Sequence, residues 1–161
     1  GRTITLALGE LPVRDDVSIT GPGAGLLAVS GNNTSRVFDV DDGTAARRTV
    51  RIAGLTITGG RTTGSGGGIS SREDLTLANV TVAGNTAAAG DQSDSSNGGG
   101  GIYNGGGTLT VSDSTVSGNT AASIFGIGGG IANFFGTLAV PGSTVSGNTA
   151  GFVGGGINNL G

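Results

Sequence analysis

Residues 99–120 read GGGIYNGGGTLTVSDSTVSGNT, and nearly the same text returns over residues 128–149 as GGGIANFFGTLAVPGSTVSGNT. A looser copy over residues 66–86 reads GGGISSREDLTLANVTVAGNT, and a fourth copy begins at Gly154 as GGGINNLG. An internal repeat of this length indicates a stacked architecture, in which each repeat is one structural unit. The repeat therefore decides the fold class.

Each repeat contains three short runs in which apolar and polar residues alternate. In the copy at 99–120 these runs include Ile102, then Leu109 and Val111, then Val116. Alternation with a period of two predicts a strand with one buried face. The residues between the runs are Gly, Asn, Ser and Asp, which form turns because they allow positive φ or bond their own backbone. One repeat is therefore predicted to be a coil of three strands, and such coils bury a core only when they stack.

The spacing of the repeats identifies the kind of stack. The isoleucine after the triple glycine recurs at intervals of 33, 29 and 26 residues, at Ile69, Ile102, Ile131 and Ile157. The length varies only between GNT and the next GGG, over residues 87–98, 121–127 and 150–153. A parallel β-solenoid permits this variation, because a loop at one corner leaves the stack sideways. A left-handed hexapeptide solenoid would need a strict six-residue period, and a helical solenoid would need a period of 3.6 residues.

The repeat text resembles that of a known group of proteins. GGGIYN followed by LTVSDSTVSGNTA is similar to the repeats of secreted right-handed parallel β-helix proteins of the pectate-lyase-like superfamily. It is especially similar to bacterial surface proteins of the polymorphic outer-membrane type, whose repeats carry a GG-x-I motif. GPGAGLLAVSGNNTSRVFDV over 21–40 and VRIAGLTITGG over 50–60 resemble the opening coils of such proteins. The resemblance covers essentially the whole chain and implies an all-β, right-handed parallel β-helix located outside the cell.

Composition narrows the class of protein. Glycine numbers 36 of 161 residues, yet hydrophobic residues still make up 35% and fall on a strand period, which excludes a disordered chain. The eight basic residues are all arginine and the net charge is −3, so no basic patch indicates nucleic acid as a partner. No apolar run is long enough to cross a bilayer. The chain has no cysteine, which excludes disulfides and thiolate metal sites.

The chain is predicted to form one β-helix domain over residues 1–161. Residues 1–60 should form irregular opening coils, and residues 61–161 should form the regular GGGI…SGNT coils, about five to six coils in all. The polar segment 91–98 is expected to be a mobile corner loop. The strand pattern starts at Thr3, and a new coil has only just begun at Gly161. We therefore expect either a segment of a longer protein or chains that stack end to end.

Stacking is predicted to place equivalent residues of successive coils in columns. Three aliphatic columns should fill the interior: Val50, Leu75, Leu109 and Leu138; Ile52, Leu77, Val111 and Val140; and Ile57, Val82, Val116 and Val145. Two asparagine columns should lie at corners: Asn85, Asn119 and Asn148, and Asn104, Asn133 and Asn159. Stacked asparagine side chains hydrogen-bond along the axis and satisfy corner backbone groups. We interpret both asparagine columns as structural ladders.

The superfamily includes polysaccharide lyases, esterases and glycosidases, so catalytic chemistry has to be considered. A lyase needs a carboxylate or calcium site and a base. The one dense acidic cluster is Asp39, Asp41 and Asp42, followed by Arg47, Arg48 and Arg51. This cluster is a candidate calcium or acidic-sugar site, but pairing of its carboxylates with the neighbouring arginines is the favoured interpretation. A glycosidase needs two carboxylates, and Asp113 is the only acidic residue over 99–161. No catalytic or cofactor-binding residue is predicted.

Two further groups of residues are candidate contact surfaces, one of outward threonines and one of aromatic rings. Thr56, Thr81, Thr115 and Thr144 should form an outward column beside Thr58, Ala83, Ser117 and Ser146. Ranked threonine on a flat face resembles ice-binding surfaces, although strand propensity alone also favours outward threonine. Phe134 and Phe135 replace turn glycines of the preceding coil, which indicates contact with the loop at 121–127 or with a partner. Tyr103 aligns with Ala132 and Asn158, so no stacking platform is expected there, and its ring belongs to the same candidate contact surface.

The sequence favours a non-catalytic extracellular β-solenoid that acts as a structural or adhesive surface module or forms filaments. The expected partners are other copies of the chain, bound end to end, or a surface glycan or protein. A polysaccharide-active lyase or hydrolase and an ice-binding solenoid are the two alternatives.

Overall fold

Alternating aliphatic residues form the strands of this structure, a computed structural model that describes residues 1–88 and 98–161. The opening turns contain β1 (Arg2–Thr5), β2 (Leu11–Val13), β3 (Val17–Thr20), β4 (Leu27–Ser30), β5 (Phe38–Val40), β6 (Thr49–Ala53), β7 (Thr56–Thr58) and β8 (Arg61–Thr62). The next turns contain β9 (Ile69–Ser71), β10 (Asp74–Ala78), β11 (Thr81–Ala83), β12 (Thr86–Ala87), β13 (Ile102–Asn104), β14 (Thr108–Ser112), β15 (Thr115–Ser117) and β16 (Thr120–Ala121). The last are β17 (Ile131–Phe134), β18 (Thr137–Ala139), β19 (Thr144–Ser146), β20 (Thr149–Ala150) and β21 (Ile157–Leu160).

The strands of the described residues build an all-β parallel solenoid of about five turns with four sheets. Sheet A has the order β1-β4-β7-β11-β15-β19, and sheet B has the order β2-β5-β9-β13-β17-β21. Sheet C runs β3-β6-β10-β14-β18, and sheet D runs β8-β12-β16-β20. Each strand pairs with its equivalent in the adjacent turn among the described residues, so the parallel stack predicted from the repeat is confirmed.

The prediction of three strands per coil is wrong, because the regular turns have four. The fourth strand is sheet D, formed by the two residues after the corner asparagine, such as Thr120–Ala121. These residues pair in register with Thr86–Ala87 on one side and Thr149–Ala150 on the other. A two-residue run is too short to show a period of two, so the GNT text was interpreted as a corner alone.

The triple glycine has a distinct requirement at each position. Gly99 has φ of 67°, a conformation that side-chain-bearing residues rarely adopt. A Cβ on Gly100 would overlap the backbone of Thr120 in sheet D. A Cβ on Gly101 would lie 2.9 Å from the side-chain amide carbon of Asn119. The GGG text therefore allows sheet B to approach both sheet D and the asparagine ladder closely.

The interior is filled by the predicted aliphatic columns. Leu75 pairs with Val50 and Leu109, Val82 pairs with Ile57 and Val116, and most members are fully buried. Val116 is 0% exposed. The columns also extend into the opening turns, where Val29 lies beside Ile57. Burial of each such side chain stabilises the fold by about 1.5–3 kcal/mol.

The variable loops leave and return at one corner, where Gly98 forms a bridge to Ile127, and Ile127 forms another to Val153. Residues 91–97 of the predicted polar loop lie outside the described residues. Within residues 1–88 and 98–161 no helix is long and apolar enough to span a membrane.

Candidate functional site

The first asparagine ladder lies at the corner between sheets A and D. Positive φ at Gly84, Gly118 and Gly147 turns the chain just before each asparagine. Asn85 donates from Nδ2 to Asn119 Oδ1 at 2.9 Å, and Asn119 donates in the same way to Asn148 at 2.9 Å. The same Oδ1 atoms accept the backbone N–H groups of the preceding asparagines at 3.0 and 2.9 Å. This ladder therefore joins successive turns through both backbone and side-chain groups.

The second ladder follows the GGGI strand. Asn104 donates from Nδ2 to Asn133 Oδ1 at 2.6 Å, and Asn133 donates to Asn159 Oδ1 at 2.6 Å. The ladder stops at Asn104, because the preceding turn has Ser71 at that position and its hydroxyl donates to the Glu73 carbonyl oxygen. Asn104 Oδ1 is buried and has no hydrogen-bond donor among the described residues. Such an orphan acceptor destabilises the corner.

The three acidic residues of the candidate metal cluster do not stay together. Asp39 pairs with Arg14 at 2.7 Å and with Arg36 at 3.3 Å. Arg36 also contacts Glu10 at 2.9 Å. Asp39 points outward from sheet B, in the column that continues through Ser70. The structure therefore assigns this carboxylate to an arginine network on the lateral face.

Asp41 and Asp42 instead meet Glu73, a residue that the sequence interpretation missed. The three carboxylates have oxygen atoms within 4.8 Å of one another, and Glu73 is 1% exposed. Glu73 lies in the SSRED text, where the next copy has NGGG, and this local difference was the available signal. The three residues converge because adjacent turns bring positions about 30 residues apart into register.

Each of these carboxylates already accepts hydrogen bonds. Asp41 pairs with Arg72 at 2.5 Å, and Asp42 pairs with Arg48 at 2.6 Å. Glu73 accepts the backbone N–H groups of Asp42 and Arg48, at 3.2 and 2.8 Å. A cation at this point would compete with two guanidinium groups. The cluster therefore functions as a corner clamp between turns.

The two other arginines of the predicted cluster have different neighbours. Arg47 donates to the carbonyl oxygen of Arg72 in the adjacent turn. Arg51 occupies the column between Ser18 and Thr76 on sheet C. Of the three predicted arginines, Arg48 is therefore the one that forms an ion pair with the acidic cluster among the described residues.

The clamp shifts the protonation equilibria of its members. Burial raises the pKa of Asp41, but the Gly43 backbone N–H and the Arg72 guanidinium outweigh burial and hold that pKa below 3.8. Hydrogen bonds from the backbone and hydroxyl of Thr44, together with Arg48, lower the pKa of Asp42. The pKa values of Arg48 and Arg72 are raised by their carboxylate partners. All four groups therefore favour their charged forms.

An aromatic surface lies on the lateral face beyond these charges. The rings of Tyr103 and Phe134 are 5.7 Å apart, and those of Phe134 and Phe135 are 6.2 Å apart. Tyr103 aligns with Ala132 along the column as predicted, but its ring meets Phe134 diagonally, which column alignment alone missed. Phe135 is 86% exposed. These rings form a contact surface that extends past one turn.

A groove of about 390 Å³ continues this surface toward the last turn. Phe125 and Ile127 from the loop at 121–127 form one side, and Phe134 and Leu160 form another. Phe125 also meets Phe152 edge to face, with ring centroids 6.5 Å apart. Phe134 thus lines an open apolar groove together with residues of the adjacent loop.

The outward face of sheet A carries the predicted threonine columns. Thr81 pairs with Thr56 and Thr115, and Thr115 pairs with Thr144. The register extends the columns to the first turn, where Thr3 aligns with Ala28 and Thr5 aligns with Ser30. The two complete columns contain only small residues: Thr3, Ala28, Thr56, Thr81, Thr115, Thr144, and Thr5, Ser30, Thr58, Ala83, Ser117, Ser146.

Comparison of this chain with family models, with curated proteins and with solved structures gives no match.

Proposed function

We propose that this protein is a non-catalytic, extracellular, right-handed β-solenoid that acts as a structural module and associates end to end. The right-handed coiling of the chain and its extracellular location are inferred from the resemblance of its GGGI…SGNT repeats to those of secreted β-helix proteins. The observation that carries the proposal is the continuous parallel register of the interior columns through the described turns. The arginine-paired carboxylates support a structural rather than a catalytic role for the acidic corner.

The first turn exposes the N-terminal members of these columns. Ile4 is 51% exposed, and Leu11 and Val17 are each 38% exposed. They begin the columns that end at Val145, Ile157 and Leu138. Ile157 is also 38% exposed. Each end therefore presents aliphatic residues at the same column positions.

The strand edges at the two ends are also complementary. Strands β1, β2 and β3 are the outermost strands of sheets A, B and C at one end, and β19, β21 and β18 are outermost at the other. Their free N–H and C=O groups can pair with a further parallel strand. Such a head-to-tail contact joins different surfaces and does not close, so it generates a filament.

Sedimentation velocity over a wide concentration range tests this proposal. We expect the chain to form concentration-dependent oligomers, and Leu11→Lys to reduce them at least tenfold, because it places a charge on the end face. Ile124→Lys is the matched control, since Ile124 is 55% exposed but lies in a lateral loop. A wild-type chain that stays monomeric at high concentration, or equal effects of both variants, would contradict end-to-end association.

The aromatic surface is proposed as the adhesive part of the module. Tyr103, Phe134 and Phe135 offer ring faces and edges to a glycan or protein on a neighbouring surface. Replacement of Phe134 and Phe135 by serine is expected to abolish adhesion to such a surface while leaving end-to-end association intact. Unchanged adhesion and unchanged stability together would remove any role for the two rings.

Ice binding is a second candidate, favoured by the unbroken Thr/Ser/Ala face of sheet A. Thr115→Arg should abolish thermal hysteresis if that face orders water. Thr110→Arg is the matched control, because Thr110 is an equally half-buried outward residue of sheet C, in a column that already contains Arg51. Absence of thermal hysteresis in the wild-type chain would exclude this candidate.

A further inference from the structure

We infer that two variable loops, at residues 121–127 and 150–153, dock the solenoid on a lipid bilayer without net charge. Their tips carry Ile124, Phe125 and Phe152, here named the loop patch, on the lateral face of the stack. The inference goes beyond the proposed adhesion to a glycan or protein, which uses the rings of the aromatic surface. The partner is the interface of the bilayer, into which the three side chains insert.

The first loop is a tight turn with large apolar residues at its centre. The Gly126 N–H donates to the Ser123 carbonyl oxygen at 2.8 Å, which closes a β-turn over Ile124 and Phe125. The Phe125 N–H also donates to Ser123 Oγ at 3.2 Å. Ser123 is buried at the base of the turn, whereas Ile124 and Phe125 are 55% and 43% exposed. The centre of a turn usually holds Gly, Pro, Asn, Asp or Ser, so this tip breaks a local rule, as functional sites do.

The second loop extends the apolar tip and holds it in place. The Phe152 N–H donates to the Gly126 carbonyl oxygen at 2.9 Å, and Ile127 forms a bridge to Val153. Phe152 is 67% exposed. The loop of the following turn thus lies beside the first loop and still leaves Ile124 exposed, so this exposure belongs to the lateral face. Because these hydrogen bonds already order the tips, docking does not have to order them.

The chemistry of the loop patch favours a bilayer as its partner. Residues 114–161 contain no charged side chain, and Ile124, Phe125 and Phe152 have no polar side-chain atom. A glycan would lose hydrogen bonds to water against such a surface without replacement. A protein would need a pocket of complementary shape, whereas a bilayer interface accepts protruding apolar side chains of any shape. Without a nearby cation the patch gains nothing from anionic lipid, so the bilayer that it fits is uncharged.

Flotation with phosphatidylcholine vesicles tests the docking, after each chain has been checked for folding by thermal melting. We expect the wild-type chain to float with the vesicles, and added salt to leave this binding unchanged because no charge contributes. Ile124→Ser combined with Phe125→Ser should weaken binding at least about tenfold, since inserted apolar area is lost. Leu8→Ser is the matched control, because Leu8 is fully exposed but lies in the first turn.

Tryptophan fluorescence shows which part of the chain contacts the lipid. The chain has no tryptophan, so Phe125→Trp places a single probe in the loop patch and Leu8→Trp places one outside it. On vesicles the emission of Phe125→Trp should shift to shorter wavelength, because its ring enters an apolar environment. The emission of Leu8→Trp should not shift.

The inference is wrong if the wild-type chain does not bind phosphatidylcholine vesicles, and a protein pocket is then the partner of the loop patch. Binding only to vesicles that contain phosphatidylserine, with loss in salt, would also overturn it, because the contact would be electrostatic. So would vesicle binding without an emission shift in Phe125→Trp, or equal weakening by the loop-patch and Leu8 variants. None of these results bears on end-to-end association or on the aromatic surface, which are tested with other variants.

Discussion

The opening turns and the regular turns close the same kind of corner with different chemistry. At the corner after sheet B, Asp41 and Asp42 of the opening turns and Glu73 of the first regular turn are held by arginines and by backbone N–H groups. In the later regular turns, neutral asparagine amides at this corner bond to one another along the axis. The change occurs within a single column, between Ser71 and Asn104. A parallel stack therefore fixes the shape of a corner, whereas the residue types that satisfy the hydrogen-bonding groups of that corner can differ from turn to turn.

The two chemistries differ in what they require from neighbouring turns. An amide carries both a donor and an acceptor, so one residue type repeated in every turn satisfies itself. A carboxylate only accepts, so each acidic residue needs a separate donor from another position. The amide corner can therefore be extended by repetition, whereas the ionic corner is specific to its turn.

The largest loss of stability is expected when a charge is placed in the aliphatic interior, away from the arginines of the ionic corner. Val116→Asp puts a carboxylate into an interior column of the regular turns, where its column neighbours Val82 and Val145 are aliphatic. We expect a loss of about 3–5 kcal/mol in the free energy of unfolding, with aggregation at moderate concentration. Ser117→Asp, on the outward side of the same strand, is the control. A Val116→Asp chain with wild-type circular dichroism and melting temperature would show that this column does not face the interior.

The next effect concerns the amide corner. Asn119→Ala removes the side-chain contacts to Asn85, Asn148 and Val82 together. We expect a loss of about 1–3 kcal/mol by chemical denaturation, because buried donors and acceptors lose their partners. Ser117→Ala, on the outward face of the same turn, should change stability by less than about 0.5 kcal/mol. Similar losses from the two variants would contradict the importance of the ladder.

Acid should affect the ionic corner selectively. The folded-state pKa values of Asp41 and Asp42 lie below 3.8, so their ionised forms stabilise the fold above that pH. This contribution is lost as the pH falls below 3.8 and through the lowered folded-state values. Hydrogen exchange should therefore show the opening turns losing protection in acid before the regular turns. Asp42→Asn should weaken this difference, and uniform loss of protection along the chain would contradict it.

The smallest effect should come from extending the amide chemistry by one turn. Ser71→Asn offers an Nδ2 donor to the buried, orphan Asn104 Oδ1. We expect a gain of about 0.5–1.5 kcal/mol in the free energy of unfolding, the usual net value of one hydrogen bond. Ser71→Val is the control of similar size without a donor. A melting temperature of Ser71→Asn below that of Ser71→Val would show that this corner has no room for the ladder.

The features that could be predicted from the sequence are those whose residue pattern recurs in every copy of the repeat. The parallel stack, the aliphatic columns and their register follow from recurring isoleucine, valine and leucine at fixed positions. Sheet D was missed because two residues per turn cannot display a period. Glu73 was missed because its contacts with residues 42 and 48 depend on the register of an irregular turn. The contact between Tyr103 and Phe134 was missed because it is diagonal, and columns describe only direct neighbours.

The pairing of each strand with its equivalent in the next turn also determines how the molecule responds to tension. Asn119 and Asn148, neighbours across one step of the stack, are 29 residues apart in sequence. Pulling the two chain ends apart would load the first and last turns before the turns between them, because each turn contacts only its neighbours. Every released turn would lengthen the chain by about 100 Å at full extension. In a force-extension experiment the solenoid should therefore unfold turn by turn, and each unfolding step should increase the contour length by about that amount.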